Sequence, residues 1–310
     1  RTILGQQRTH RLVEPATLTE QRATKMESTA VLPLIVDMDG TLLRSDMSYA
    51  NLLAMAAHSP EVLLKLPGWL LQPRNICRAN MADVALPDTH NLPLNPDCVG
   101  LIVERRAAGA RIVLIAAADS RIVAAVAQQT GLFDEWHGSN RDTDLSGANK
   151  ARFLVDLFGE RGFDYIGDSQ TDLPAWQTAR RAYTLGSSPR LQQNAASANS
   201  DIVHLAPTPA SIAAWFLPLW RALRPHQWVK NVLVFAPLLA GHSFDLGHGV
   251  AALIAFVAFS LTASSAYLVN DLFDLDADRA HPRKRHRPLA AGDLSLRRGG
   301  FAAFALAAIA

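Results

Sequence analysis

The chain has 310 residues, 49% of them hydrophobic and 19% charged, which is long enough for about two domains and too apolar for disorder by composition. Thirty basic residues against 28 acidic ones leave a net charge of +2, so bulk charge predicts no nucleic-acid partner. The two cysteines, Cys77 and Cys98, have neither a zinc-site spacing nor the number for a disulfide framework, and they fit a reducing compartment.

Residues 1–30 read as a polar leader without the apolar core of a signal peptide, and Met26 is a candidate natural start. The stretch "LPLIVDMDGTLL" follows, a short buried-strand pattern that runs into Asp37, Asp39, Gly40 and Thr41. Two carboxylates and a glycine turn therefore sit at the carboxyl end of a strand, where open α/β sheets bind ligands. Residues 45–95, including "YANLLAMAAHSPEVLLKL", predict a small helical insert near that end. A second acidic motif, "FDYIGDSQTDLPAW", carries Asp168 and Asp172. Taken alone, such aspartates also occur as turn and cap residues.

Together these motifs resemble the haloacid dehalogenase superfamily over residues 31–206. The resemblance implies an α/β, Rossmann-like domain in which Asp37 attacks phosphorus while Asp39 protonates the leaving group and then activates water. It also implies Mg²⁺ between the Asp37 carboxylate, the Asp39 backbone and Asp168, with Asp172 nearby, and it assigns Lys150 of "SGANKARFL" to bridging the phosphate. One position departs from the pattern. In "RIVLIAAADSR" the strand ends at Ala116, where the family places a Ser or Thr hydroxyl on the transferred phosphoryl group. Losing one preorganised donor costs on the order of 10² to 10³ in rate, so slow hydrolysis is expected. Ser120 is too far along to be assumed a substitute.

Beyond residue 206 the chain turns strongly apolar. Residues 207–230 read as linker and interfacial segment, because "AAWFLPLWRALRPHQW" combines Trp215, Trp220 and Trp228 with Arg221 and Arg224 in the manner of a helix at headgroup level. A first apolar stretch covers Asn231 to Phe244, with Pro237 as a possible kink. The second, Val250 to Val269, is twenty residues without a formal charge, the length of one bilayer crossing or of a buried helix in a soluble protein. Arg279, Arg283, Lys284, Arg285, Arg287, Arg297 and Arg298 all follow it and predict a cytoplasmic loop. A pair of crossings then leaves the amino-terminal domain cytoplasmic, on the inner membrane of the cell. The sequence stops inside the apolar run "FAAFALAAIA", and a truncated chain is expected.

Between the apolar run and the basic loop stands "YLVNDLFDLDADRAHPRKRHRP". In helical geometry Asn270, Asp274 and Asp278 recur every four residues on one face, bordered by Asp271. Mutual repulsion would be relieved by a divalent cation such as Mg²⁺; the plainer alternative is a solvated acidic helix end balanced by the basic run.

The pattern N-D-x-x-D-x-x-x-D with its basic loop resembles the UbiA-type intramembrane prenyltransferases, taken here as residues 231–310. That resemblance implies an all-α transmembrane bundle, with Asn270, Asp271, Asp274 and Asp278 holding Mg²⁺ and diphosphate and with Lys284 and Arg287 on phosphate oxygens. The two basic residues also suit an orientation signal. "LRPHQWVKN" narrows the resemblance to the branch of polyprenyl-phosphate phosphoribosyltransferases, in which Lys230 is a phosphate-binding candidate or an interfacial anchor. The second Asp-rich motif of that family is missing from these 310 residues. The expected partners are a polyprenyl phosphate or diphosphate lipid, a phosphorylated sugar or other acceptor, and the bilayer. Two alternatives stay open, a membrane-tethered phosphatase and an inactive phosphatase-like scaffold.

Overall fold

A computed structural model describes residues 31–186, 188–206, 212–242 and 245–310, with the side chains of 212–215 excepted. The leader with Met26, the segment 207–211, the Trp215 side chain and residues 243–244 lie outside the described residues.

Strand β1 (Leu34–Asp37) is buried at all four positions, as a strand covered on both faces must be. Asp46 caps α1 (Met47–His58) by accepting from the Tyr49 N–H at 3.0 Å. A 3₁₀ turn (Pro60–Lys65), α2 (Leu66–Leu70) and α3 (Arg74–Val84) complete the expected helical insert. Then come α4 (Pro96–Ala107), β2 (Ile112–Asp119), α5 (Ser120–Thr130), β3 (Glu135–Ser139), α6 (Gly147–Phe158) and β4 (Asp164–Gly167). The α/β part closes with α7 (Leu173–Thr178), β5 (Arg181–Leu185), α8 (Pro189–Ala198) and β6 (Ile202–Leu205).

All pairings are parallel, in the order β3-β2-β1-β4-β5-β6. The α/β expectation is met. The direction of winding changes between β1 and β4, so the carboxyl ends of those two strands flank the crevice where such sheets take their ligands. Asp164, fully buried at the start of β4, is held by Arg105 at 2.6 Å and Arg180 at 2.7 Å, which pins the opposite end of the strand.

The remaining described residues form α9 (Ile212–Leu223), a 3₁₀ run (Pro225–Phe235), α10 (Ala236–Ala240), α11 (Leu246–Phe273), α12 (Leu275–Ala280) and α13 (Leu296–Ile309). Among the described residues, α11 alone is long and apolar enough to cross a membrane.

The first apolar stretch differs from a second long α-helix. It runs antiparallel along α11, with Trp228 Nε1 donating to Ser264 Oγ at 3.0 Å, Asn231 Nδ2 donating to Ser260 Oγ at 3.1 Å, and the rings of Phe235 and Phe256 5.7 Å apart. Pro225 and Pro237 at the starts of its two helical pieces interrupt α-helical hydrogen bonding, and the side-chain bonds to α11 fix the tighter turns between them. Trp228 thus also ties this segment to α11.

The two parts share a core. Leu42, Leu43 and Met47, just beyond β1, belong to one apolar cluster with Leu272, Leu275, Leu294 and Leu296.

Candidate active site

The turn after β1 carries the acidic pair. Gly40 has φ +82°, and a Cβ on it would overlap the Asp168 carboxylate, so both conformation and space demand glycine. Thr41 Oγ1 donates to Asp168 Oδ1 at 3.2 Å. The next turn is held by Asp39, whose Oδ1 accepts from the Met47 N–H at 2.8 Å.

Lys150, on the first turns of α6 and 4% exposed, reaches Asp37 Oδ1 at 2.5 Å and Asp172 Oδ1 at 3.3 Å. Tyr165 closes the group from β4: its hydroxyl donates to Asp172 Oδ1 at 2.7 Å and accepts from Lys150 Nζ at 3.0 Å. Asp172 is further fixed by the Ser169 N–H at 3.1 Å and Ser169 Oγ at 2.9 Å. The structure therefore gathers Asp37, Asp39, Lys150, Asp168 and Asp172 at one end of the sheet. Tyr165 was missed in the sequence, because a tyrosine in an apolar strand looks like core.

Burial dominates the electrostatics. It pushes Asp37 up to about 6, against the opposing pull of Lys150 and with a further push from Asp172. Asp39 rises to about 8 through burial and the neighbouring Asp46 carboxylate. Asp168 lies well above the usual carboxylate range, again through burial and then through Asp37 and Asp172. Burial disfavours the Lys150 charge, but Asp37 and Asp172 outweigh it and hold the ammonium protonated. Carboxylate oxygens of Asp37, Asp168 and Asp172 lie within 4.8 Å of one another, the only such group among the described residues.

The Asp-rich stretch is arranged otherwise. The helix breaks at Asp274, which ends α11 and begins α12, so Asn270, Asp274 and Asp278 do not continue along one helical face. Asn270 Nδ2 donates to Asp274 Oδ2 at 2.7 Å on the outside. Asp271 and Asp278, both buried, turn instead toward Arg287 Nη1, at 3.0 and 2.6 Å. Arg224 Nη2 adds bonds of 2.6 and 2.8 Å to Asp271, and Lys284 Nζ lies 3.6 Å from Asp278 Oδ1. In this arrangement the four residues form no metal-ligand group among the described residues, because arginines neutralise the two inner carboxylates.

Beside these arginines opens a cleft of about 390 Å³ lined by Arg221, Arg224, His226, Arg283, His286 and Arg287. Six potentially cationic side chains and no carboxylate line it, which makes it a seat for a polyanion. Lys230 is exposed and outside this lining. The sequence signal for Arg283 and His286 was only their presence in the basic loop, and Arg221 was read as part of an interfacial helix.

The amino-terminal part is thus a parallel α/β domain that brings an acidic pair, a lysine and a second acidic motif together at its switch point. Comparison with known proteins adds the carboxyl-terminal part, where residues 231–310 match the UbiA prenyltransferase family. The uncharacterized protein y4nM of Sinorhizobium fredii is 37% identical over 280 residues, covering 89% of this chain and 53% of its own length. The decaprenyl-phosphate phosphoribosyltransferase of Mycolicibacterium smegmatis is 53% identical over 79 residues, 24% of this chain and 25% of that enzyme. The chain therefore spans about half, or less, of these curated relatives. Among solved structures, a probable phosphoserine phosphatase of Vibrio cholerae aligns at 14% identity and a TM-score of 0.41 over 62% of this chain and 69% of that one.

Proposed function

We propose that the chain is the phosphatase domain and the first membrane segments of a two-part enzyme that builds and then trims a polyprenyl-phosphate-linked sugar. The observation that carries the reading is the Lys150–Asp37 contact of 2.5 Å inside the acidic group, an arrangement with no structural purpose that a neutral pair would not serve at lower desolvation cost.

Asp37 attacks the phosphorus of a phosphomonoester, the ester oxygen leaves with a proton from Asp39, and water activated by Asp39 then releases phosphate from the acyl phosphate. Lys150 balances charge on the nucleophile and on the phosphoryl oxygens. The clustered hard oxygen donors of Asp37 and Asp168 suit Mg²⁺, with the Asp39 carbonyl as a further ligand and Asp172 behind. Bound there, the ion supplies charge neutralisation between nucleophile and phosphate.

For the membrane part, the identity to decaprenyl-phosphate phosphoribosyltransferases over the match supports transfer from a phosphoribosyl diphosphate-like donor to a polyprenyl phosphate. The basic cleft, with Arg287 in its lining, supports phosphate recognition at the cytoplasmic mouth, where Lys284 and the exposed Lys230 would serve the same anionic substrates. Asn270, Asp271, Asp274 and Asp278 would hold Mg²⁺ and diphosphate only after Arg224 and Arg287 are drawn away by the incoming polyanion. The α/β domain then lies on the cytoplasmic side of the inner membrane.

Expressed at its natural full length and given polyprenyl phosphate, phosphoribosyl diphosphate and Mg²⁺, the protein is expected to accumulate lipid-linked ribose without its 5-phosphate. Asp37→Asn should leave the phosphorylated lipid, and Asp274→Ala should block both. The same phosphorylated product with and without Asp37 would contradict the coupling.

A further inference from the structure

Ala116 is the weak point of hydrolysis at Asp37. In the register of the sheet Asp37 lies opposite Ile115, so Ala116 stands one residue further at the mouth, buried and without a hydroxyl. A different donor reaches this strand end from the insert. Arg78, on α3, places Nη1 3.0 Å from the carbonyl oxygen of Ala117, the residue directly after Ala116. The Asp144 carboxylate lies 3.8 Å from the same nitrogen.

The guanidinium is held against the end of β2 by its own helix. Asn75 Nδ2, one turn before it on α3, donates to the carbonyls of Asn140 and Arg141 at 2.9 Å each. One turn after it, Asp83 pairs with Arg121 at 2.7 Å and also with Arg141. These contacts fix α3 against the first turn of α5 and the loop after β3. Arg78 also acts electrostatically on Asp39, countering the rise of that carboxyl.

Only one of its N–H groups is used by the Ala117 carbonyl, and Nε and Nη2 have no hydrogen-bond partner among the described residues. The side chain is 21% exposed, so it is open in part to solvent and to a diffusing anion.

We propose that Arg78 is a phosphoryl-binding residue of the Asp37 site, supplying from the helical insert the donors that Ala116 lacks and selecting a dianionic phosphate monoester. The inference rests on the proposed phosphoryl transfer at Asp37. The planar fork of a guanidinium donates to two phosphoryl oxygens at once, which a single hydroxyl cannot do. Charge on those oxygens is retained through a loose transition state, so the arginine acts on ground state and transition state alike. Because the donor belongs to the insert, phosphate binds fully only while α3 stays seated on the first turn of α5 and the loop after β3.

The test uses the whole chain in detergent, with Mg²⁺, p-nitrophenyl phosphate as substrate and orthovanadate as a binding probe read by thermal shift. Arg78→Ala is expected to lower kcat/KM about 10²-fold, the scale of one lost oxyanion donor. It should also remove the vanadate shift, and Arg78→Lys should restore part of both. Ala116→Thr should raise activity much more in the Arg78→Ala background than in the wild type, because the new hydroxyl then fills an unmet need. Hydrolysis that needs Asp37 but changes less than about twofold in Arg78→Ala, outside the range of a lost donor, would overturn the inference while leaving Asp37 chemistry standing. Equal gains from Ala116→Thr in both backgrounds would also overturn it. Vanadate binding that depends on Arg78 without any Asp37-dependent hydrolysis would support Arg78 and overturn the hydrolytic reading instead.

Discussion

Arg279 Nη2 donates to Ser45 Oγ at 2.9 Å, joining residues 234 positions apart: one follows the Asp-rich motif, the other leaves the Asp37 strand. Ser45 lies two residues before Met47, whose N–H holds Asp39. Next to this bond, Arg44 pairs with Asp293 at 2.7 Å, and the Arg44 carbonyl occupies the space a Cβ on Gly292 would need. The acidic loop of the α/β domain is thus seated directly on α12, which carries Asp278, and on the loop at Gly292 and Asp293.

Gly292 tests that seating. Its φ is +74° and its Cβ position is filled by backbone, so Gly292→Ala combines strain with a clash. A loss of about 2 kcal/mol in unfolding free energy is expected from a left-handed position that cannot relax. Denaturant titration checks it, and an unchanged midpoint would mean that the two parts are not held together there.

Lys150 and Tyr165 separate charge from hydrogen bonding. Lys150→Met strands the buried Asp37 and Asp172 carboxylates, and a loss of about 3 kcal/mol or more is expected together with loss of phosphate release. Tyr165→Phe removes one neutral donor to Asp172, for which about 1–2 kcal/mol is the scale. The order Lys150 above Tyr165 is the checkable result, read by thermal melts of both variants at one pH.

What the sequence could reveal followed from which residues act locally. Asp37 and Asp39 were legible because charge at the end of an apolar strand has few structural uses, and Asp168 and Asp172 because they recur at the end of a second strand. The Asp-rich stretch was legible in composition but not in geometry. Its four-residue spacing implies one helical face, yet the break at Asp274 involves no Pro or Gly, and Arg224, 47 residues upstream, helps to hold the inner carboxylate. Arg78 and Tyr165 gave no signal, since their roles exist only when the insert and β4 meet the strand ends. Trp228 shows the same limit: its hydrogen bond to Ser264 depends on a residue 36 positions away, which no local pattern announces.

The carboxyl group of Asp168, held well above its ordinary range, and those of Asp37 and Asp39, at about 6 and about 8, make a pH prediction for the metal-free protein. A carboxyl whose folded-state value is raised binds its proton more tightly when folded. Its contribution is therefore favourable below the unfolded value near 4 and is lost as pH rises toward the folded value. In chelator, the melting temperature should fall between pH 5 and pH 8 by on the order of 5 °C. Asp168→Asn should flatten that slope, and Mg²⁺ should reverse it. A melting temperature that rises across this window in chelator would contradict the electrostatics assigned to the site.

The orientation proposed for α11 can be read by labelling. With Cys77 and Cys98 replaced by serine, single cysteines at Glu160 and Arg285 should react with an impermeant reagent from the same side of sealed vesicles. Reaction from opposite sides would exclude the arrangement in which both the α/β domain and the basic loop are cytoplasmic.

The most direct test of the account is chemical trapping at Asp37. Incubated with Mg²⁺ and a small acyl or aryl phosphate, quenched and reduced with borohydride, the protein should yield a peptide in which Asp37 has become homoserine, the mark of an acyl phosphate at that side chain. The modification should vanish in Asp37→Asn and fall in Lys150→Met. Turnover of the phosphate ester with an unmodified Asp37, or with the trapped group on another residue, would contradict phosphoryl transfer through this aspartate.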